Sequence, residues 1–186
     1  MEIRYDIANS GSDLKAIQQL QQDNIPQSIS PEELKAQGFV TARHDLSLLE
    51  KMNTPYPHVV ARANQQIVGY TLVMLPAFSN SLPVLIPMFE RIASLSFEGR
   101  PLDSQSWFVM GQVCIQKDFR GQGLFNGLYM ELKARMSIDF NYVLTQISKR
   151  NPRSIRAHEK VGFQVVEEYW DQHANEQWVI VLWDWT

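Results

Sequence analysis

An arginine and three glycines stand together in the stretch KDFRGQGLFNGL, residues 117 to 128. Glycine lowers helix stability by about 1 kcal/mol relative to alanine, so Gly121, Gly123 and Gly127 need a reason other than helix stability. At the join between a strand and a helix, consecutive backbone N–H groups point into the space before the helix, where the helix dipole is positive. The pattern therefore predicts anion binding by backbone, with Arg120 as a permanent positive charge at the rim. The alternative is a tight turn that lets the helix pack closely on the sheet.

Two common phosphate-binding motifs differ from this pattern. A dinucleotide fold requires G-x-G-x-x-G at its first β–α turn and an acidic residue at the end of the next strand. Here the glycines read G-x-G-x-x-x-G, and the next predicted strand ends in Ser148-Lys149-Arg150. A P-loop requires Gly-Lys-Ser/Thr, which RGQGLFNG does not contain. An NADP-binding domain that uses Lys149 and Arg150 for the 2′-phosphate is kept as an alternative.

The elements around the glycines form a β–α–β pattern. WFVMGQVCI (107–115) and NYVLTQI (141–147) are predicted strands, and LFNGLYMELKARM between them carries a wide apolar helical stripe. A connection of this length joins parallel strands in a right-handed crossover. A short helix over SIRAHEKVG, then strands over FQVVEEY and WVIVLWDW, complete the second half.

The first half is predicted to contain helices and antiparallel strands. IRYDIA is a predicted strand, SDLKAIQQLQQ a capped helix, and HVVARANQQIVGYTLVML a hairpin. SPEELKAQG predicts a further helix with Ser30 at its N-cap and Pro31 in its first turn. Residues 76–105 form a long connection with one short helix around 88–95, which we expect to serve function. The uncharged run 64–89 is broken by prolines and predicts a strand and a loop, not a membrane span.

Composition limits the class of protein. The chain has 186 residues, of which 45% are hydrophobic, and is expected to form one domain over 1–186. A net charge of −3 with dispersed Lys and Arg gives no support for a nucleic-acid or membrane partner. One cysteine, Cys114, excludes an internal disulfide, and the first ten residues lack the pattern of a secretory signal, so a reducing cytoplasm is expected. The histidines His44, His58 and His173 lack metal-ligand spacing, so no metal is expected.

The stretch VCIQKDFRGQGLFNGLYMEL, followed downstream by NPRSIRAHEKVGF, resembles the two cofactor motifs of the GCN5-related N-acetyltransferase (GNAT) superfamily. The first motif there is Arg/Gln-x-x-Gly-x-Gly/Ala after a strand. Arg120 and Gly123 match it, and Phe125 stands where Gly or Ala is usual. The resemblance covers 107–185 by motif and the first hundred residues only by the order of elements. It implies an α/β (α+β) fold with a mixed, mostly antiparallel twisted sheet of about seven strands, a splayed parallel central pair and flanking helices.

The same resemblance implies a site for acetyl-CoA as co-substrate. Its pyrophosphate would lie on the N–H groups of residues 121 to 126, and its pantetheine arm would pair with β-strand backbone like an added strand. The side chain of Asn151 would contact the pantetheine, and Ser154 would open the adjacent helix. The expected cofactor-binding residues are Val113, Ile115, Arg120, Gly121, Gln122, Gly123, Leu124, Phe125, Asn126, Asn151 and Ser154.

His158 stands where the family often has a tyrosine that protonates the departing CoA thiolate. An imidazole with a pKa of about 6.5 can do this at neutral pH. The alternative is that His158 is a structural residue on the core face of its helix. The general base is unassigned: Glu90, Asp103 and Glu168 are candidates.

The sequence thus predicts transfer of an acetyl group from acetyl-CoA to a primary amine of a small molecule or peptide, by direct attack in a ternary complex. Residues 76–105 would form a lid or wall of the acceptor site. The apolar side chains in this connection favour an apolar or mixed acceptor over a polycation: Phe78, Leu85, Phe89 and Phe97. A non-catalytic acyl-CoA-binding or sensing module is the first rival, and an NADP-binding domain the second. The identity of the acceptor, the acyl-chain preference and a homodimer are left open.

Overall fold

The computed structural model describes residues 2–30, 32, 39–40, 43–81, 83–172 and 174–186. Pro31 and most of the helix predicted over SPEELKAQG lie outside the described residues, as does His173. The described helices are α1 (Gly11–Asn24), α2 (Leu46–Asn53), α3 (Ile86–Ser94), α4 (Leu124–Met136) and α5 (Pro152–Val161). The strands are β1 (Ile3–Ile7), β2 (Val59–Ala63), β3 (Gln66–Met74), β4 (Ser96–Phe97), β5 (Arg100–Pro101), β6 (Trp107–Ile115), β7 (Tyr142–Ser148), β8 (Gln164–Asp171) and β9 (Glu176–Asp184).

Seven strands form one sheet in the order β1-β2-β3-β6-β7-β9-β8. Strands β6 and β7 are parallel, while β1 with β2, β2 with β3, β7 with β9 and β8 with β9 are antiparallel. The predicted mixed, mostly antiparallel sheet with one parallel pair is therefore confirmed. The register of that pair runs from Trp107 opposite Tyr142 to Val109 opposite Leu144, although β6 continues to Ile115 and β7 to Ser148.

The chain divides into two compact units, Met1–Val73 with Gly111–Arg135 (the first unit) and Met74–Met110 with Met136–Thr186 (the second unit). A single domain over the whole chain stays a prediction.

The first unit packs two capped helices against each other. Helix α1 begins after Ser10, whose hydroxyl accepts from the N–H of Asp13, and α2 begins after Asp45, whose carboxylate accepts from the N–H of Leu48 at 2.7 Å. Each helix buries one apolar stripe, made of Leu14, Ile17 and Leu20 in α1 and of Leu48, Leu49 and Met52 in α2. The predicted hairpin is β2 and β3, which turn through Asn64 at a φ of 56°.

In the second unit, the described residues of the long connection form short helices and a hairpin. Short 3₁₀ turns lead into α3, and the β4–β5 hairpin follows it. The short helix predicted around 88–95 is confirmed but begins at Ile86, because Pro87 suits the first turn of a helix. Its Phe89 ring stacks on Trp107 with centroids 6.3 Å apart, and Phe97 meets Tyr142 edge-on at 5.8 Å. Of the helices described, none has the length and apolar character needed to cross a membrane.

Candidate functional site

The candidate site begins where β6 ends. A 3₁₀ turn over Lys117–Phe119 follows the strand. Residues 120–126, which we call the anion turn, come next and include the first three residues of α4. Gly121 and Gly123 have φ angles of 75° and 83°, in the left-handed region that favours glycine. A Cβ atom added to either one would meet no atom within 4 Å. These two glycines therefore serve the backbone conformation of an open turn and do not relieve crowding.

Gly127 has a different reason to be glycine. A Cβ atom at this position would overlap the phenol ring of Tyr5 in β1. Gly127 therefore lets α4 approach β1 closely, as the packing alternative predicted. The packing interpretation therefore applies to Gly127, and anion binding at Gly121 and Gly123 stays a prediction.

The start of α4 leaves backbone donors without partners in the helix. The first helical bond runs from the N–H of Gly127 to the carbonyl of Gly123 at 3.1 Å, so the N–H groups of residues 124 to 126 precede the helical ladder. Gly121, Gln122, Gly123 and Asn126 are exposed, while Leu124 is buried. N–H groups without a helical partner at the positive end of a helix are an arrangement that can bind phosphate. The half-buried Phe125 packs its ring on Tyr129, with centroids 5.0 Å apart.

The guanidinium of Arg120 is engaged by the protein itself. Its Nε donates to the carbonyl of Ile115 at 3.1 Å, and its Nη2 donates to Oδ1 of Asn24 at 2.5 Å. Asn24 is the last residue of α1 and is buried. Sequence reasoning missed Asn24, because no local pattern connects it to a motif so far along the chain.

At the end of β6, one edge of the strand faces β3. The N–H of Gln116 donates to the carbonyl of Val68 at 2.8 Å. Because the backbone groups of successive strand residues point to opposite sides, those of Val113 and Ile115 lie on the other side of β6. The carbonyl of Ile115 already accepts from Arg120, whereas the predicted pairing of pantetheine with Val113 stays a prediction.

Buried polar side chains lie on β3 and β6 in the first unit. The hydroxyl of Tyr70 donates to Oε1 of Gln112 at 2.6 Å, and burial raises the pKa of Tyr70 well above its usual value. Burial also raises the pKa of the Cys114 thiol to about 12. The thiol is therefore protonated at neutral pH and is a poor nucleophile.

In the second unit, Asn151 caps α5. Its Oδ1 accepts from the N–H of Ser154 at 3.2 Å, and Pro152 takes the first helical position. The helix thus begins two residues before Ser154, the predicted start, because Asn at the N-cap followed by Pro is a strong helix-start signal. The contact of Asn151 with pantetheine stays a prediction.

His158 lies on the buried face of α5, with 1% of its surface exposed. Its Nδ1 is 2.8 Å from the carbonyl of Ser154, which can only accept, so Nδ1 carries the proton. Burial lowers the pKa of His158 to about 4, and its ring meets Phe163 edge-on at 5.1 Å. A neutral imidazole whose proton is already committed favours the core interpretation over the general-acid one.

The charged residues proposed for other roles are exposed or paired. Glu90 and Asp103 are exposed, and Glu168 accepts from Nζ of Lys149 at 2.6 Å. Arg150 pairs with the buried carboxylate of Glu176. The two cations on which the NADP alternative depends therefore already have carboxylate partners. Across the ranges that the structure describes, no group of three or more His, Cys, Asp or Glu side chains could hold a metal ion.

Comparison with solved structures identifies the fold of this chain. No protein-family model matches the sequence, and no curated protein matches it. Among solved structures, the chain is similar to one of the NatC complex bound to Gag peptide and CoA, at 11% identity over 100% of both chains with a TM-score of 0.68. It is similar to Arabidopsis thaliana NAA60 in complex with acetyl-CoA, at 14% identity over 98% of this chain and 99% of the other, with a TM-score of 0.65.

The Escherichia coli ribosomal-protein-S18-alanine N-acetyltransferase is also similar, at 13% identity over 98% of this chain and 94% of the other, with a TM-score of 0.62. At these identities the similarity establishes the architecture. The chain has the fold of the GNAT acetyltransferases, as the resemblance of its two motifs implied.

Proposed function

We propose that the protein is an acetyl-CoA-dependent N-acetyltransferase that acts on the primary amine of a small molecule or peptide. The observation that carries the proposal is the anion turn, an exposed turn after β6 whose two left-handed glycines directly precede the start of α4. In this position the turn would hold the pyrophosphate of acetyl-CoA on backbone N–H groups.

The similar structures support this ligand and this class of acceptor. NAA60 was solved in complex with acetyl-CoA, and NatC was solved with CoA and a Gag peptide. Both proteins share the fold of this chain, so we assign the same co-substrate here. The chemical class of the acceptor, an amine, follows from the proposed reaction, and its identity is left to experiment.

The reaction requires the protein to bind acetyl-CoA and the amine next to each other and to allow one net proton transfer. The neutral amine attacks the thioester carbonyl, the C–S bond breaks, and the proton lost by nitrogen balances the one gained by the thiolate. His158 is neutral and its Nδ1–H donates to the carbonyl of Ser154, so we assign thiolate protonation to solvent. The rate enhancement then depends on proximity and on backbone donors that polarise the carbonyl.

The long connection of the second unit is proposed as a wall of the acceptor site. Arg91 of α3 fastens it: the guanidinium donates to Oε1 of Glu167 at 2.8 Å and lies 4.3 Å above the ring of Tyr169. The hydroxyl of Tyr169 in turn donates to Gln146 at 2.6 Å. These contacts favour a fixed wall over a freely opening lid.

Two measurements test the proposed function. Calorimetric titration with CoA and with NADP should show binding of CoA alone. A thiol-release assay with acetyl-CoA and a library of amines should then show release that depends on the amine added. CoA binding without acceptor-dependent release would support the sensing module, and binding of NADP instead of CoA would support the dinucleotide alternative.

A further inference from the structure

The side chain of Arg120 donates to two groups of the first unit. Nε and Nη2 share one edge of the planar guanidinium, and this edge donates to the Ile115 carbonyl at the end of β6 and to Asn24 at the end of α1. These two bonds hold the guanidinium in place beside the anion turn.

Asn24 is itself fixed in one orientation. Its Nδ2 donates to the carbonyl of Leu20 at 2.8 Å, which leaves Oδ1 to accept from Arg120. Its backbone carbonyl accepts from the N–H of Val40 at 3.1 Å, and only 6% of the residue is exposed. A buried amide with both of its polar atoms engaged is a rigid attachment point.

We propose that Asn24 is a positioning residue for phosphate binding. It acts through Arg120, which ties the anion turn to α1 and β6 and so orients the N–H groups of the turn without gripping the phosphate directly. This inference rests on the proposed function, because it takes CoA to be the ligand of the anion turn. It gives Arg120 a role other than that of a direct ligand at the rim.

The link between Asn24 and Arg120 acts on the conformation of the anion turn more than on its charge. Arg120 directly precedes Gly121, whose φ of 75° sets the course of the turn. Glycine is the most flexible residue, so a turn with two glycines needs attachment at its ends to hold its N–H groups in one arrangement. A lysine at position 120 would keep the charge but would have no planar edge to reach both acceptors.

The test compares three variants with the wild-type protein. Asn24→Leu removes the acceptor at similar volume, and Arg120→Lys keeps the charge but loses the planar edge. Each should weaken CoA binding by about tenfold, and the double variant should be little worse than either one, because both changes break the same link. Asn53→Leu is the matched control, since Asn53 ends α2 and bonds Ala8 and His58 with its own amide.

Two readouts separate positioning from general destabilisation. Pantetheine, which lacks the phosphates, should bind wild type and Asn24→Leu equally, whereas CoA should not. In the transfer assay, Asn24→Leu should raise the KM for acetyl-CoA about tenfold and leave kcat within about twofold. Asn53→Leu should lower thermal stability without this difference between CoA and pantetheine.

Direct contact between Arg120 and the phosphate predicts different affinities for these variants. If Arg120 grips the phosphate directly, Arg120→Lys will keep most of the CoA affinity, and Asn24→Leu will leave it unchanged or improve it by releasing the guanidinium. Either outcome overturns the inference. Should Asn24→Leu fail to fold, Asn24→Ser provides the smaller change and Arg120→Lys still decides. Failure of the wild-type protein to bind CoA would instead overturn the proposed function.

Discussion

The starts of α4 and α5 differ in how they treat their backbone donors. Helix α5 begins with Asn151, whose side chain accepts from the N–H of Ser154, and Ser10 and Asp45 do the same for α1 and α2. Helix α4 follows Gly123, which has no side chain to cap it. Unsatisfied N–H groups at a helix start are costly unless water or a ligand bonds them. Helix α3 also begins without a side-chain cap, at Leu85, so the feature that distinguishes α4 is the pair of left-handed glycines directly before it.

The strongest test of this contrast is Gly123→Val. A branched side chain would project over the N–H groups of the anion turn, and we expect CoA affinity to fall by roughly 100-fold or more. The φ of 83° also makes any such residue cost about 1–2 kcal/mol of backbone strain. Calorimetry with CoA measures the first effect, and thermal unfolding measures the second.

Gly99→Val is the matched control for strain. Gly99 has a φ of 77°, and a Cβ atom there would also meet nothing within 4 Å, but it lies in the β4–β5 hairpin. It should lose similar stability and keep its CoA affinity. Near-normal CoA affinity in a folded Gly123→Val protein would count against the anion turn as the phosphate site.

On the capped helix, His158 should affect acid stability and not catalysis. Its folded pKa of about 4 lies below the unfolded value of about 6.5, so the unfolded chain binds more protons between these values. Its contribution is fully present above pH 6.5 and is lost as the pH falls toward 4. His158→Phe should remove up to about 1.4 kcal/mol per pH unit from the slope in that window.

Chemical denaturation at a series of pH values measures this slope. A residual slope should persist, because burial also lowers the pKa of His44 to about 4 and of His58 to about 3. We expect kcat of His158→Phe to stay within a few-fold of wild type at neutral pH. A fall of roughly 100-fold in kcat, the size typical of a lost general acid, would return His158 to the mechanism.

Asn126→Asp should move stability and binding in opposite directions. A carboxylate in the first turn of α4 interacts favourably with the helix dipole and should add about 0.3–1 kcal/mol of stability. The same charge beside the bound phosphates should lower CoA affinity about tenfold at low salt. Ser12→Asp in the first turn of α1 should gain stability without loss of affinity. A parallel change of both quantities in Asn126→Asp would argue against an anion at this helix start.

The smallest expected effect separates two roles of Asn151. Asn151→Ala removes the cap and should cost about 1 kcal/mol of stability. Asn151→Asp keeps an acceptor for the N–H of Ser154 but loses the Nδ2 donor, so stability should persist. If Asn151 also contacts the pantetheine arm, only the binding of CoA and pantetheine should weaken in Asn151→Asp. Unchanged binding would leave Asn151 as a cap alone.

The sequence by itself was sufficient for features that depend on neighbouring residues. The strand–helix–strand order around the glycines predicted the parallel pair, because a helical crossover constrains the direction of its two strands. The left-handed conformation of the glycines in the anion turn could also be predicted, since few other residues adopt it. The predicted start of α5 at Ser154 was wrong by two residues, because the helix begins at the stronger signal of Asn151 followed by Pro152.

Only the tertiary structure decided the features that depend on residues far apart in the chain. Tyr5 explains why position 127 is glycine, and Asn24 determines where the charge of Arg120 lies. The burial of His158 and its contact with the Ser154 carbonyl, which favour the core role over the catalytic one, are likewise visible only in the tertiary structure. Local patterns determine backbone conformation, but desolvation and hydrogen-bond partners come from through-space contacts that a single sequence does not encode in its spacing.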